Sequence, residues 1–172
     1  MQLPAVVAIS GVKNSGKTTF LQHLIPILRE MGLHIGVIKH DGHTFVPDVP
    51  ETDSFRLRES GAEAIAIVSS RRWMLIKEAP LSDIHFLLEQ MAGMDLLLLE
   101  GFKDSEWPKI ELVRNGVSQS PICPFHTILA VATDISALPA NVPKIPLDGY
   151  EQAAKIILEL LNQKTKSLSI NY

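Results

Sequence analysis

The stretch Gly11-Val12-Lys13-Asn14-Ser15-Gly16-Lys17-Thr18 decides the fold, because it satisfies the whole pattern Gly-x-x-x-x-Gly-Lys-Thr. Successive backbone N–H groups of such a loop wrap a phosphate, and glycine permits the positive φ angles that the wrap requires. Its lysine places a cation beside the β- and γ-phosphates, and its threonine hydroxyl can ligate Mg²⁺. A strand pattern precedes the stretch and a helical pattern follows it. The sequence therefore predicts a P-loop that holds the phosphates of a nucleoside triphosphate.

The loop and its flank supply the first set of candidate site residues. The candidate nucleotide-binding residues are Gly11, Lys13, Asn14, Ser15, Gly16, Lys17, Thr18 and Thr19. Lys17 is also a candidate catalytic residue, and Thr18 a candidate magnesium ligand. Lys13 fits a solvated side chain better than a catalytic one, and we expect Thr19 to face the sheet from the helix.

Strand and helix patterns alternate along the chain, which predicts an α/β fold of the P-loop NTPase type, three-layered with a largely parallel central sheet. We expect one domain over residues 1–162 and a loose polar tail over residues 163–172. Pro26 should kink or split the first helix. The strand patterns cover 4–10, 34–39, 64–68, 73–76, 96–99, 109–113, 127–133 and 142–146, and the helical patterns cover 17–31, 55–60, 83–91 and 149–161.

Four consecutive leucines, 96–99, predict a strand buried on both faces, with Asp95 before it and Glu100 after it. A P-loop protein needs a carboxylate near Mg²⁺ at the carboxyl edge of such a strand. Glu100 lies at that edge, so it is a candidate catalytic and metal-binding residue; the alternative is an exposed acid that starts a loop. Asp95 should lie at the opposite rim as a surface or capping residue.

The polar segment 40–52 is long for a connection in a compact domain, which is typical of a functional loop. Of its acids and those just after it, Asp53 is the first candidate for a third magnesium ligand and Asp41 the second. Asp53 or Ser54 can also cap the short helix that follows. His40 and His43 have the spacing His-x-x-His, which allows metal binding, although solvated histidines are more usual in a polar loop.

The nucleotide base is specified less clearly, because no Asn-Lys-x-Asp segment occurs in the chain. A guanine reader needs a carboxylate that accepts from N1–H and N2–H₂ of the base. Asp134, which follows the strand pattern 127–133, is the candidate for this role. A helix or turn cap is the alternative.

The overall composition restricts the class of protein. The 172 residues are 46% hydrophobic and 20% charged, which is ordinary for a globular domain. A net charge of −3 and a pI near 6.1 do not favour a nucleic-acid partner. Cys123 is the one cysteine, and no apolar run is long enough to span a bilayer. We expect a cytoplasmic protein without a membrane partner.

Taken together, the motifs resemble the molybdopterin-guanine dinucleotide biosynthesis adaptor family (MobB). The stretches Asp-Ser-Phe-Arg-Leu-Arg-Glu-Ser-Gly-Ala at 53–62 and Glu-Gly-Phe-Lys at 100–103 are far more specific than the P-loop. The remaining matching segments are residues 11–19, 38–43, 99–103, 108–111 and 132–134. Within the segment 38–43, Asp41-Gly42 departs from the further histidine or polar residues of the family, so roles that depend on a histidine cluster do not carry over.

This resemblance implies binding of GTP and Mg²⁺ with at most slow hydrolysis. It implies an adaptor that assists the molybdenum cofactor guanylyltransferase, with molybdopterin or its guanine dinucleotide as a further partner, and a homodimer. Two other functions share the same loop. One is a P-loop kinase or ligase that acts on a small molecule, and the other is a GTP-dependent metal-delivery chaperone that uses His40 and His43.

Overall fold

The computed structural model describes residues 3–42, 45–81, 83–138 and 142–169, with side chains described up to residue 163. Two compact units make up the chain. Residues 1–40 and 87–172 form the first, here called the sheet unit, and residues 41–86 form the second, the hairpin unit. The single domain over residues 1–162 stays a prediction, because compactness alone does not show whether the hairpin unit folds by itself.

The strands agree closely with the sequence patterns. In chain order they are β1 Ala5–Ser10, β2 Ile35–Lys39, β3 Ala64–Val68, β4 Trp73–Lys77, β5 Leu96–Glu100, β6 Lys109–Val113, β7 Ile128–Thr133 and β8 Lys144–Ile145. Six of them form one sheet in the order β2-β5-β1-β6-β7-β8, and every pairing in it is parallel. The predicted α/β fold with a largely parallel sheet is therefore confirmed. The carboxyl ends of all six strands lie along the same edge.

Two long helices cover one face of this sheet. They are α1, Lys17–Glu30, and α4, Tyr150–Ser169. Phe20, Leu24 and Leu28 of α1 are buried against Leu96 and Leu98 of β5. Helix α4 adds Ala153, Ala154 and Ile157 to the same cluster. Burial of these side chains holds the helix that starts at the P-loop firmly on the sheet.

The opposite face of the sheet is covered by one short helix and by loops. The short helix α3, His85–Gln90, buries Leu88, and a side chain at Gly36 would collide with Leu97 and approach Met91. Further along the sheet, Cys123 and Leu138 pack against Val113 and Val131. Loops as well as helix therefore form the third layer on this side.

A buried carboxylate organises that loop layer. The Glu111 side chain, 1% exposed, accepts hydrogen bonds from the backbone N–H groups of Ile122 (2.7 Å) and Cys123 (3.1 Å). Beside it, Lys109 is fully buried and donates from Nζ to the carbonyl of Ser105. Desolvation lowers the pKa of Lys109 and raises the pKa of Cys123 to about 12. The layer is thus built on polar contacts as well as packing.

The hairpin unit contains a short helix and a two-stranded antiparallel sheet. Helix α2 is Asp53–Glu59, and β3 pairs with β4 alone. Thr52 caps α2, because its hydroxyl accepts from the backbone N–H of Phe55. The prediction that Asp53 or Ser54 caps this helix is wrong by one position, since Asp53 already belongs to the first turn.

Helix ends account for the other differences from the sequence patterns. Helix α4 continues to Ser169, whereas the helical pattern ends at residue 161 and a loose tail was expected after it. Pro26 lies within α1 and does not split it, because the helix runs unbroken from Lys17 to Glu30. Contacts with the core stabilise α1 against the loss of one backbone donor.

Among the described residues, no helix is both long and apolar enough to cross a membrane.

Candidate nucleotide-binding site

The loop between β1 and α1 has the backbone conformation of a phosphate cradle. Gly11 and Gly16 have φ angles of 135° and 98°, and Asn14 between them has a φ of 63°. A Cβ atom at Gly11 would lie 2.6 Å from the carbonyl oxygen of Leu112. This clash cannot be relieved by a side-chain movement, because the carbonyl belongs to the backbone. Gly16 then precedes the first turn of α1, whose unpaired N–H groups face the loop. Local geometry therefore requires glycine at the two positions where the motif has it.

Two side chains of the loop are suited to an anion. Lys17 folds back over the loop, and its Nζ donates to the carbonyl oxygens of Val12 (2.7 Å) and Gly11 (3.1 Å). Burial lowers the pKa of Lys17, and the negative charge of Glu100 acts against that shift. Ser15 is 1% exposed, and its buried hydroxyl has no hydrogen-bond partner among the described residues. A buried hydroxyl of this kind is stabilised when a ligand atom pairs with it.

Thr18 and Glu100 meet although 82 positions separate them in the sequence. The Thr18 hydroxyl donates to Oε1 of Glu100 at 2.6 Å. Glu100 ends β5, and β5 lies directly beside β1 in the sheet, so the two carboxyl ends are adjacent. Glu100 is 9% exposed, so the alternative of an exposed acid is wrong. The pair places two oxygen ligands side by side next to the phosphate cradle.

These two oxygens fit Mg²⁺, which is usually held by one or two protein oxygens together with phosphate oxygens and waters. No group of three histidine, cysteine, aspartate or glutamate side chains that could hold a metal occurs within the part of the chain that the structure describes. Phosphate oxygens and waters are the usual further ligands of such an ion.

The segment after Glu100 is hydrogen-bonded to the end of β1, directly before the P-loop. Gly101 has a φ of 98°, its N–H donates to the carbonyl of Ile9, and its own carbonyl accepts from the Ser10 hydroxyl. Phe102 has a φ of 52°, and its ring packs edge-on against His40 with centroids 5.4 Å apart. The chain therefore turns sharply beside the P-loop, as the glycine at 101 suggests.

The remaining residues predicted for the P-loop are exposed. Lys13 and Asn14 point away from the core, which agrees with a solvated Lys13. Thr19 is also exposed and lines a cavity beside the loop. The expectation that Thr19 faces the sheet is wrong, because Phe20 and Leu21 occupy the inward face of α1 at that level.

Asp134 follows β7 at the same edge of the sheet, as predicted. Its Oδ1 accepts a hydrogen bond from the backbone N–H of Asn115 at 2.7 Å, so it caps the turn after β6. The carboxylate also lines the cavity beside the P-loop. A capping role is thus present, and the guanine role stays a prediction.

The remaining candidate residues belong to segments other than the P-loop. Asp53 belongs to the hairpin unit, has a 99% exposed side chain, and lies 4.0 Å from Nη1 of Arg56. Its role as a metal ligand stays a prediction, as does that of Asp41. His43 lies outside the described residues. Asp95 lies at the opposite rim, where it accepts from the backbone N–H of His34 at 2.7 Å, as expected.

A cavity of about 480 Å³ in the sheet unit contains two residues that the sequence analysis did not select. Arg114 and Asp148 line it together with Gly16, Asp134 and the P-loop side of α1. Nη1 of Arg114 lies 4.0 Å from where a Cβ of Gly16 would be. Both residues closely follow predicted strands, so the rule that ligands bind at the carboxyl ends of parallel strands could have found them.

Comparisons with known proteins agree with this geometry. The adapter protein for molybdopterin-guanine dinucleotide biosynthesis of Escherichia coli is 35% identical over 92% of this chain and 94% of its own. The protein of the same name from Haemophilus influenzae is 34% identical over 86% of this chain and 82% of its own. The crystal structure of Bacillus subtilis MobB superimposes with a TM-score of 0.72 at 26% identity, covering 90% of this chain and 96% of that one.

A family profile described as molybdopterin guanine dinucleotide synthesis protein B matches residues 6–134. That range contains the P-loop, the segments 53–62 and 100–103, and the buried carboxylate at 111. The chain belongs to the molybdopterin guanine dinucleotide synthesis protein B (MobB) family.

Proposed function

We propose that this protein binds GTP together with Mg²⁺ and acts as an adaptor in the synthesis of the guanine dinucleotide form of molybdopterin. The single observation that carries the nucleotide part is the hydrogen bond between Thr18 and Glu100, which joins an intact P-loop to the acid at the end of β5. The pathway part is supported by the family and by the names of two relatives that the chain matches over most of their length.

In this proposal the residues of the site have separate tasks. The loop amides and Lys17 hold the β- and γ-phosphates, and Thr18 with Glu100 holds the magnesium ion. The bound ion neutralises phosphate charge. The hairpin unit supplies Asp53, which we retain as a proposed third metal ligand in the triphosphate-bound state.

Hydrolysis is expected to be slow. Efficient GTP hydrolysis needs a side chain that orients water and a cation at the γ-phosphate. Gly101 follows Glu100 and has no side chain, and Phe102 is packed against His40. Arg114 lies on the β6 side of β1, whereas Glu100 lies on the β5 side. The arginine is thus next to the P-loop but on the side away from Glu100 and the proposed magnesium site, so it is not placed to act at the γ-phosphate and GTP is held rather than rapidly consumed.

The proposed partners are the guanylyltransferase of the molybdenum cofactor and molybdopterin or its guanine dinucleotide. We also propose a homodimer formed through the hairpin unit. On one face of the hairpin, Val68 pairs with Trp73 and Ala66 with Leu75. Val68, Trp73 and Leu75 are 76%, 66% and 55% exposed. A two-stranded sheet with an uncovered apolar face is marginally stable alone, and a second copy of this face would cover it.

The kinase alternative is less well supported by the cavity. A kinase needs an acceptor pocket next to the γ-phosphate, on the Glu100 side of the loop. The 480 Å³ cavity instead lies on the side of β6, β7 and β8. The metal-delivery alternative depends on His40 and His43, and His40 packs against the ring of Phe102.

Calorimetric titration with GTP and ATP, with and without Mg²⁺, tests the nucleotide part. We expect Lys17→Ala to weaken GTP binding by about 10- to 100-fold, because it removes charge-assisted hydrogen bonds to phosphate. Lys155→Ala, an exposed lysine on α4, is the matched control and should leave the affinity unchanged. Equal affinity for ATP and GTP would contradict the choice of guanine.

A reconstituted assay tests the pathway part. Purified guanylyltransferase, molybdopterin and Mg-GTP are incubated with the wild-type protein, with Lys17→Ala, or without either. We expect faster formation of the guanine dinucleotide cofactor with the wild type only. If deletion of the gene also left the level of guanylated cofactor unchanged in cells, the adaptor role would be wrong.

A further inference from the structure

The cavity beside the P-loop has different chemistry at its two sides. The P-loop side is formed by Ser15, Gly16 and the guanidinium of Arg114. The far side is formed by the carboxylates of Asp134 and Asp148. The rings of Phe20 and Tyr150, whose centroids are 5.2 Å apart, also line the cavity. A cavity that is cationic at the P-loop side and acidic at the far side suits a ligand with a phosphate at one end and hydrogen-bond donors at the other.

The strand order sets the distance of each acid from the phosphate cradle. The P-loop follows β1, Asp134 follows β7, and Asp148 comes three residues after β8. Because β8 is three strands away from β1 and β7 is two away, the offsets are about 14 Å and about 10 Å at the usual spacing of strands. Asp148 is therefore the acid farther from the cradle, on the side towards which the base of a nucleotide held by the P-loop would extend.

The two carboxylates also differ in the hydrogen bonds that they make within the protein. Oδ1 of Asp134 is engaged by the N–H of Asn115 at 2.7 Å. The Asp148 side chain is exposed to the cavity, and no hydrogen bond joins it to any residue within the ranges that the structure describes. Both of its oxygens are thus available to accept from a ligand, whereas one oxygen of Asp134 serves the protein.

A tight turn presents Asp148 in a fixed position. The N–H of Gly149 donates to the carbonyl of Pro146 at 2.9 Å, and the N–H of Tyr150 donates to the carbonyl of Asp148 at 2.8 Å. A side chain at Gly149 would lie 2.9 Å from the carbonyl oxygen of Pro146. The turn leads directly into α4, which packs on the sheet. Preorganisation of this kind favours selective reading of a ligand.

We propose that Asp148, rather than Asp134, reads the base of the bound nucleotide by accepting hydrogen bonds from N1–H and N2–H₂ of guanine. The inference rests on the proposed function, because it presumes a guanine nucleotide in the P-loop. Adenine presents an unprotonated N1 to the same carboxylate, so the pair of acceptors selects against ATP.

An exchange of base specificity tests this assignment. Asp148→Asn replaces one acceptor by a donor, which matches xanthine, where the 2-position carries a carbonyl oxygen in place of the amino group. We expect the variant to lose about 30-fold or more in affinity for Mg-GTP and to gain a similar factor for Mg-XTP, measured by calorimetry. A gain of xanthine binding cannot result from misfolding.

Two further variants make the result decisive. Asp134→Asn is the rival, since its amide oxygen still accepts from Asn115, and a switch to XTP in this variant would overturn the inference in favour of Asp134. Asp95→Asn, at the opposite rim of the sheet, is the matched control. Unchanged GTP and XTP affinities in Asp148→Asn would also overturn it.

Failure of the inference and failure of the proposed function give different results. If the wild type prefers GTP to ATP and depends on Lys17 while Asp148→Asn has no effect, only the assignment of the base reader is wrong. If the wild type binds no nucleotide, or does not distinguish GTP from ATP, the proposed function itself is wrong.

Discussion

The sheet unit and the hairpin unit differ in where their apolar side chains lie. Within the described residues, every buried hydrophobic side chain belongs to the sheet unit. Seventeen large hydrophobic side chains of the described residues are exposed, and eleven of them lie between residues 41 and 86. The sheet unit is thus complete as a folded core, whereas the hairpin unit presents apolar surface. The difference supports the proposal that nucleotide binding and association with another chain belong to different parts of the molecule.

The first prediction concerns the burial of Cys123 in the core of the sheet unit. This thiol is 4% exposed, and desolvation next to the Glu111 charge raises its pKa to about 12. At pH 8 an aromatic disulfide reagent should modify it at least about 1,000-fold more slowly in the native protein than in urea, because reaction requires unfolding. Rapid modification of the native protein would show that the loop layer over β6 and β7 opens.

The raised pKa also gives a dependence of stability on pH. Above about pH 9 the unfolded thiol ionises, whereas the native thiol keeps its proton until about pH 12. The native state then binds more protons than the unfolded state, so the free energy of unfolding falls as the pH rises through this window. Urea titrations at pH 8 and 10 should show a smaller fall for Cys123→Ala than for the wild type.

The second prediction compares equivalent truncations in the two units. Leu98 in β5 is fully buried, and Leu75 in β4 is 55% exposed. Leu98→Ala should lower the free energy of unfolding by about 2–5 kcal/mol, because it leaves a cavity in the core. Leu75→Ala should change it by less than about 0.5 kcal/mol at a protein concentration where the chain is monomeric. Similar losses in urea titration would contradict the difference between the units.

The third prediction concerns association through the hairpin. Trp73→Ser should raise the dissociation constant of the homodimer by about 30-fold, because large aromatic side chains dominate interfaces. Analytical ultracentrifugation measures the change. Val117→Ser is the matched control, since Val117 is a 41% exposed side chain of the sheet unit. A wild-type protein that stays monomeric at high micromolar concentration would exclude the proposed dimer.

The smallest effect is expected for Arg114, next to Gly16. Arg114→Ala should weaken GTP binding by about tenfold, since it removes one cation near the phosphates, and Arg114→Lys should recover part of the loss. Arg29→Ala, an exposed arginine in the last turn of α1, should leave the affinity unchanged. Equal effects of the Arg29 and Arg114 variants would show that only net charge matters.

Much of the fold and part of the site could be predicted from sequence patterns. The patterns at residues 64–68 and 109–113 predict strands with the same ends as in the structure, because β-branched and apolar runs between turn residues are local signals. The predicted end of α4 at residue 161 is wrong, since after Leu161 the sequence becomes polar although the helix continues. No apolar stripe marks the last turns of α4, and helix ends are the part of a structure that sequence patterns predict least well.

The sequence by itself determined the phosphate cradle and its acid. Gly11, Gly16, Lys17 and Thr18 act within one loop, where the positive φ angles and the start of α1 are properties of the local chain. Glu100 was also accessible, because a run of leucines identifies a buried strand and the residue at its carboxyl end. Both inferences depend on interactions over a few neighbouring residues.

Only the tertiary structure decided which distant residues share the site. Three features follow from the order of strands across the sheet: the contact of Thr18 with Glu100, the place of Arg114 beside Gly16, and the presence of Asp134 and Asp148 in one cavity. That order depends on how helices and strands pack into one core, which no local pattern records. For the same physical reason, the surface proposed for a partner can be recognised only from the structure, in which the hairpin unit has no buried apolar side chain among its described residues.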